Sequence, residues 1–207
     1  MTDRSPPPAP PGYPFELIEH AYLDDGTPVE FRPIRPDDAA RLERLFYRLS
    51  PESLYRRFFA PMTRPSEPMI RRLSNVDYVD RLALVAVIDD EVVGVARYDV
   101  LAAVAPAALG VDPGEAEAAV IVEDAWQGHG IATRLLWRLT SAAAARGVDT
   151  FTGTIMAGNR RMVGLLSVLG DDVQLELSGG EYVARLRLSS VSRPRAEPAA
   201  SHENERR

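Results

Sequence analysis

Residues 116–136, AEAAVIVEDAWQGHGIATRLL, constrain this chain more than any other stretch. They predict an apolar strand from Ala116 to Val122, a tight turn over Glu123-Asp124-Ala125-Trp126-Gln127, and then a helix. That helix opens on Gly128-His129-Gly130 and carries Ile131, Leu135 and Leu139 on one side. A helix N-terminus leaves its first N–H groups without intrahelical partners, and the helix dipole adds a partial positive charge there. Glycines at 128 and 130 put no Cβ between a ligand and the backbone. The junction is therefore an anion site, best suited to a phosphate or pyrophosphate.

Two common phosphate loops are excluded. A Walker-type loop requires Gly-Lys-Ser/Thr, and the chain contains no lysine. A dinucleotide fingerprint requires G-x-G-x-x-G after a strand, with an acid further on. Here Thr133 stands in place of the third glycine, Asp149 is the only acid near the expected position, and the preceding chain is not a βαβ unit.

Composition removes other classes. The net charge of −6, with no block of like charges, argues against nucleic acid as a partner. Without cysteine there is no disulfide, thiolate metal site or cysteine nucleophile. Histidines 20, 129 and 202 are scattered, so no metal centre is expected. No apolar run has the length of a membrane span. The opening MTDRSPPPAPPGYP lacks the apolar core of a signal peptide, which leads to the expectation of a cytoplasmic protein.

The 207 residues fit one domain with tails. Residues 1–14 are proline-rich and 190–207 are polar, and both are expected to be disordered, leaving a single domain over 15–189. Phe15–Leu23 and Pro28–Ile34 read as strands joined by the turn signal Asp24-Asp25-Gly26-Thr27. Arg35-Pro36-Asp37-Asp38 starts a helix, with proline at its first position and both aspartates suited to the dipole. Leu42, Leu45, Phe46 and Leu49 form its buried stripe. Ser50 reads as the N-cap of a short helix, Pro51–Phe59, whose Tyr55, Phe58 and Phe59 either pack in the core or line a cleft. A third helix runs from Ser66 to Asn75. Leu82–Ile88 and Val92–Val100 are strands, and Gly94 signals a bulge or a close backbone approach. Residues 101–114 form an Ala/Pro/Gly loop or a strand extension. Strand Thr150–Met156, helix Asn159–Leu169 and strands Val173–Leu177 and Tyr182–Leu188 follow, the last two joined by Ser178-Gly179-Gly180. The order predicts an α/β (α+β) fold, a mixed sheet with helices on both faces.

Gln127-x-x-Gly130-x-Ala132, at a strand-to-helix junction, resembles the acyl-CoA signature R/Q-x-x-G-x-G/A of the GNAT superfamily of N-acetyltransferases. The opening LDDGTPVEFRPIRPDDAARLERLFYRLSPESLYRRFF resembles that of bacterial protein lysine acetyltransferases, and the likeness extends over about Phe15 to Leu188. It implies a mostly antiparallel sheet with a splayed central strand pair, and acetyl-CoA as co-substrate without a metal. Backbone N–H groups of Gly128, His129, Gly130, Ile131, Ala132 and Thr133 would cradle the CoA pyrophosphate, with the His129 side chain facing solvent. Gln127 would shape the loop. Val120, Ile121 and Val122 would splay from strand Thr150–Met156 to admit the pantetheine arm, and an N–H near Val122 would polarise the thioester carbonyl. Asn159 would touch the cofactor, or it is only a helix N-cap.

The implied reaction is attack of an amine on the thioester. A lysine amine has a pKa of about 10.4, so the site needs a base. The resemblance points to Glu117, in the Ala116-Glu117 step, whose plain alternative is a solvated charge. Glu115 and Glu123 lie on the same strand face by period two and stand in reserve. Two positions depart from the pattern: Leu166 replaces the tyrosine that many relatives use to reprotonate the CoA thiolate, leaving Ser167 as a weak substitute, and Gly170-Asp171 replaces Gly-Phe. Three readings stand: an acetyltransferase acting on protein lysine, one acting on a small amine or amino acid, and a CoA-binding module without catalysis. The residues do not fix the oligomeric state.

Overall fold

Two apolar runs pair with each other at the centre of the fold. The computed structural model describes residues 8–62, 64–104, 112 and 114–191. Strands β3 (Arg81–Ile88) and β4 (Glu91–Val100) are buried along almost their whole length, as strands covered on both faces must be. Around them the sheet is completed by β1 (Glu19–Tyr22), β2 (Pro28–Pro33), β5 (Glu115–Val122), β6 (Thr150–Met156), β7 (Val173–Ser178) and β8 (Glu181–Arg187). The spatial order is β1-β2-β3-β4-β5-β6-β8-β7. Every neighbouring pair is antiparallel except β5 with β6.

Helices cover both faces. One face carries α1 (Ala39–Arg48), α2 (Pro51–Phe58) and α3 (Glu67–Ser74). Leu42, Leu45, Phe46 and Leu49, all buried, meet Ala83, Val85 and Val95 of the sheet there. On the other face α5 (Ile131–Ala144) buries Ile131, Leu135 and Leu139 against Leu84, Ala96 and Tyr98. Next to it α6 (Arg160–Leu169) buries Leu166 and Leu169 toward β6 and β8. The architecture is the expected mixed α/β sheet.

Local signals explain the boundaries. Ser50 and Ser66 accept hydrogen bonds from Ser53 N and Met69 N and so cap α2 and α3. Phe59 closes α2 in the left-handed region, at φ 56°. Gly179 and Gly180, with φ of 61° and 89°, are the two-residue loop between β7 and β8. Gly94 meets both expectations at once. The β3–β4 register slips between Ala86 and Val87, and a Cβ on Gly94 would lie 3.2 Å from Ile131 Cγ2 and from Val122 Cγ2.

The structure differs from the sequence reading at several places. Phe15–Leu17 is a 3-10 turn, not strand, so β1 starts at Glu19. Pro14 supplies the constrained φ that opens that turn, and Leu17 N donates to its carbonyl at 3.1 Å. The segment 1–14 is anchored at its described end: Tyr13 is buried, its hydroxyl donates to the Pro33 carbonyl at 3.0 Å, and its ring meets Tyr78 edge-on. Asp38 does more than complement a helix dipole. It is fully buried, receives both η nitrogens of Arg32 at 2.6 and 2.7 Å, and accepts from Arg35 N at 2.9 Å. Residues 101–104 form a single helical turn, α4 (Leu101–Val104). The rest of the expected loop, and both outer tails, lie largely outside the described residues.

Candidate functional site

Strands β5 and β6 run together for only three register pairs, Glu115↔Thr150 to Glu117↔Thr152, and then separate. Gly153 sits at the parting point. A Cβ there would stand 3.0 Å from the Ala118 carbonyl. The gap widens into a cleft of about 970 Å³, walled by Ala118–Val122 of β5, Thr152–Ile155 of β6 and the starts of α5 and α6.

The backbone of β5 is polar toward this gap. Glu123 N donates to the Val93 carbonyl at 2.8 Å, toward β4. Alternation along the strand therefore turns the N–H and C=O groups of Val120 and Val122 the other way, into the cleft. Gln127 Nε2 covers the Val122 carbonyl at 3.2 Å. Among the described residues, both N–H groups and the Val120 carbonyl have no strand opposite them, since β6 has already left.

The start of α5 is equally open. Gly130 is its N-cap at φ 77° with no side-chain cap, and Gly128 stands at φ 89°. A Cβ at either would meet nothing within 4 Å, so it is the left-handed backbone that calls for glycine here. Among the described residues, none accepts a hydrogen bond from the backbone N–H groups of residues 128–133. Gly128, Gly130, Ile131, Ala132 and Thr133 line the cleft. His129 is exposed, with its ring edge-on to Trp126 at 5.8 Å, and is not part of the lining.

The turn before α5 is bolted to α2. Asp124 accepts from Ser50 N and Ser50 Oγ at 2.9 Å each, and from Ser53 Oγ at 2.8 Å. Burial pushes the Asp124 carboxyl up, but these hydrogen bonds outweigh it and hold the pKa below the ordinary value. Gln127 Nε2 also donates to Ser53 Oγ at 3.2 Å, and Gln127 Oε1 accepts from Arg161 Nη1 at 3.1 Å. Asn159 caps α6, accepting from Met162 N at 3.2 Å, and also lines the cleft. Leu166 reaches the lining as well. Ser167 is exposed and donates to the Val163 carbonyl, outside the lining.

The two glutamates of β5 and Glu123, just past its end, have different fates. Glu115 is buried and paired with Arg185. Glu123 holds Arg48 Nε at 2.8 Å. Glu117 is exposed, lines the cleft, and makes neither hydrogen bond nor ion pair with a described residue. Of these three, Glu117 alone lines the cleft without an ion pair or hydrogen bond to a described residue. Phe58 stacks on Phe46 at 5.6 Å and lines the cleft together with Phe59, so it serves both of the roles weighed for it, whereas Tyr55 is exposed.

Sequence reasoning missed Ser53, Asp124, Arg57 and Arg161. Asp124 and Ser53 meet across 71 positions and had no local signature. Arg161, two residues past Asn159 at the opening of α6, was within reach of the motif argument. Among the described residues no His, Cys, Asp and Glu side chains converge as a metal site requires, and no helix is long and apolar enough to cross a membrane.

Comparison with known proteins agrees with this geometry. An acetyltransferase of Pseudomonas aeruginosa is 31% identical over 152 residues, which is 72% of this chain and 77% of that protein. The GNAT domain of S. lividans PAT superposes with a TM-score of 0.75 at 34% identity, covering 84% of this chain and 99% of that domain. A Salmonella typhimurium protein solved with its cofactor acetyl-CoA shares the fold, with a TM-score of 0.62 at 18% identity over 81% of this chain and 98% of that one. The profile of the Acetyltransferase (GNAT) family matches residues 22–170, from β1 to the end of α6. The parted strands and the glycine-led helix thus sit inside a match that spans most of the domain, and the chain belongs to the GNAT family of acetyltransferases.

Proposed function

We propose that this GNAT acetyltransferase transfers the acetyl group of acetyl-CoA to the side-chain amine of protein lysines. The observation that carries the chemistry is Glu117, which lines the cleft at the point where β5 and β6 part and makes no ion pair or hydrogen bond with a described residue. The choice of lysine rests on the likeness of the opening segment, residues 23–59, to bacterial protein lysine acetyltransferases, and on the similarity to the S. lividans PAT domain.

The site fits acetyl-CoA. Unpaired N–H groups at the start of α5 suit a pyrophosphate, Arg161 adds a cation beside the same loop, and the free edge of β5 offers groups to an extended amide chain. When bound, acetyl-CoA supplies an acyl thioester. Of the two cleft-facing N–H groups, that of Val120 lies nearer Glu117 along the strand and serves as the oxyanion donor, while that of Val122 is left for the pantetheine arm. Glu117 takes the proton of the incoming amine, directly or through a water, so that a neutral nitrogen attacks. The N–C bond forms, the C–S bond breaks, and the electron pair leaves on sulfur. No tyrosine, cysteine or lysine lines the cleft among the described residues, so water reprotonates the thiolate.

The test is acetyl transfer to cellular protein. Purified protein, acetyl-CoA and a lysate are combined, and new acetyl-lysine is read by mass spectrometry. The chain contains no lysine, which removes side-chain self-labelling as a confounder. A limited set of labelled proteins, lost with Glu117→Gln, is the expected result. CoA release with small amines alone moves the acceptor to a metabolite. Tight acetyl-CoA binding with neither outcome makes the protein a silent binding module.

A further inference from the structure

The β4–β5 register sets Arg97 opposite Ala119 and Asp99 opposite Glu117, on one face of the sheet. Arg57, in the last turn of α2, lies over the same face and lines the cleft with Glu117 and Ala119. Behind this wall is a second, small cavity of about 30 Å³ between Arg57, Arg97 and Phe58. Arg57 and Ala119 border both spaces.

The charges here do not cancel. Arg97 is 6% exposed, and its Nε and Nη2 are spent on Asp99. Its Nη1 is buried without a hydrogen-bond partner among the described residues. Asp99 is shared, since Arg81 Nε holds it at 2.8 Å and Arg97 at 3.0 Å. Arg57 forms no hydrogen bond or ion pair within the described residues, and its guanidinium stands 4.9 Å from the centroid of the Phe58 ring. Burial, and then the like charge of Arg97, push the Arg57 pKa below its ordinary value against the opposing pull of Glu117 and Asp99. A partly buried cation with no carboxylate in direct contact is costly to keep, and a ring face offsets little of that.

The CoA phosphates do not explain it. Their expected cradle is the start of α5, which packs on the opposite face of the sheet, the face of Ala96 and Tyr98. Arg57 and Arg97 face the helices α1–α3 and the side of β5 that bears Glu117. The anion that belongs here therefore arrives with the acceptor.

We infer that Arg57, backed by Arg97, binds a carboxylate carried by the acceptor close to its reacting amine, so the enzyme selects amines that have a carboxylate for a neighbour. The inference rests on the acetyltransferase reading and narrows its substrate class. The planar guanidinium fork matches a carboxylate in two parallel hydrogen bonds. The carboxylate has two natural sources: an acidic side chain beside a target lysine, or the α-carboxylate of an amino acid.

Binding of matched probes to the CoA-saturated protein tests this without requiring turnover. One pair is a lysine peptide with Glu, or Gln, next to the lysine. The other is free lysine against lysinamide. Isothermal titration is expected to show the carboxylate member of one pair binding about tenfold tighter, the scale of a charge-assisted hydrogen bond. The pair that responds identifies the source. Arg57→Gln equalises that pair, and Arg57→Lys restores part of the difference while circular dichroism reports an unchanged fold. Equal binding within both pairs, or no binding of any probe at millimolar concentration, overturns the inference. Preferential binding with no acetyl transfer from acetyl-CoA to the bound probe keeps the carboxylate site and sinks the acetyltransferase reading instead.

Discussion

Gln127 reaches back five residues to place its amide nitrogen 3.2 Å from the carbonyl of Val122, the last residue of the strand it follows. The bond fixes the turn at the point where strand becomes helix. It also occupies a β5 carbonyl that faces the cleft. Replacing Gln127 by alanine frees that carbonyl and leaves Ser53 and Arg161 without their shared partner. The expected result is a several-fold rise in Kd for acetyl-CoA by titration calorimetry and a loss of about 1 kcal/mol in denaturant stability. An unchanged Kd would remove Gln127 from the cofactor loop.

Asp124 supplies a pH-dependent tether between that turn and α2. Its carboxyl is held below the ordinary value because hydrogen bonds from Ser50 and Ser53 outweigh burial. A depressed folded-state pKa contributes stability above the unfolded value, near 3.9, and that stability is lost as pH falls through the folded value. Asp124→Asn should therefore cost about 1 kcal/mol at pH 7, at the low end because the group is exposed. The gap to the parent should be narrower at about pH 3, below the unfolded value of about 3.9, than at pH 7. Urea denaturation at both pH values reads it, and a gap that is the same at both would mean the charge plays no part.

Much of this site was legible because its logic is local. The apolar run ending at Val122 and the glycines at 128 and 130 mark a strand, a turn and an open helix start within fifteen residues of chain. Ser50, Ser66 and the Gly179-Gly180 pair act on backbone groups two or three residues away, and so did what their types predict. What could not be read depends on partners set by the sheet. Glu115 and Glu123 looked equivalent to Glu117 by period two, and only Arg185 and Arg48, distant in sequence by 70 and 75 positions, separate them. Asp38 carried a good helix-start signature that hid its pairing with Arg32. Arg57 was one arginine among 24 until register brought Arg97 and Glu117 to the same face.

Leu166, where many relatives place a tyrosine, is buried at the cleft wall and cannot give a proton. The rate of acetyl transfer should climb with pH as the acceptor amine loses its proton, and then level off. It should not fall again near pH 10, where an essential tyrosine of ordinary pKa would ionise. A pH profile of kcat/KM from pH 6 to 10.5 checks this. A descending limb that persists after correction for inactivation would mean that an acid outside the described lining serves the thiolate.

Gly153 and Gly94 separate opening the cleft from packing the core. A methyl at Gly94 would press on Ile131, Val122 and Leu135 side chains at 3.2–3.3 Å, beneath the first turn of α5. Gly94→Ala should therefore lower stability by about 1–3 kcal/mol, the scale of overpacking. Gly153 has no such side-chain neighbours. Its methyl would meet the main-chain carbonyl of Ala118 at 3.0 Å, where β5 and β6 part, and a backbone atom cannot turn aside as a rotamer can. Gly153→Ala must instead move one strand against the other, changing the width of the cleft between them. Its signature should be a change in Kd for acetyl-CoA of at least about fivefold, larger in free energy than its loss of stability. Thermal unfolding and titration calorimetry on both variants decide the matter: equal ratios of binding loss to stability loss would show that the parting of β5 and β6 is not what shapes the cofactor site.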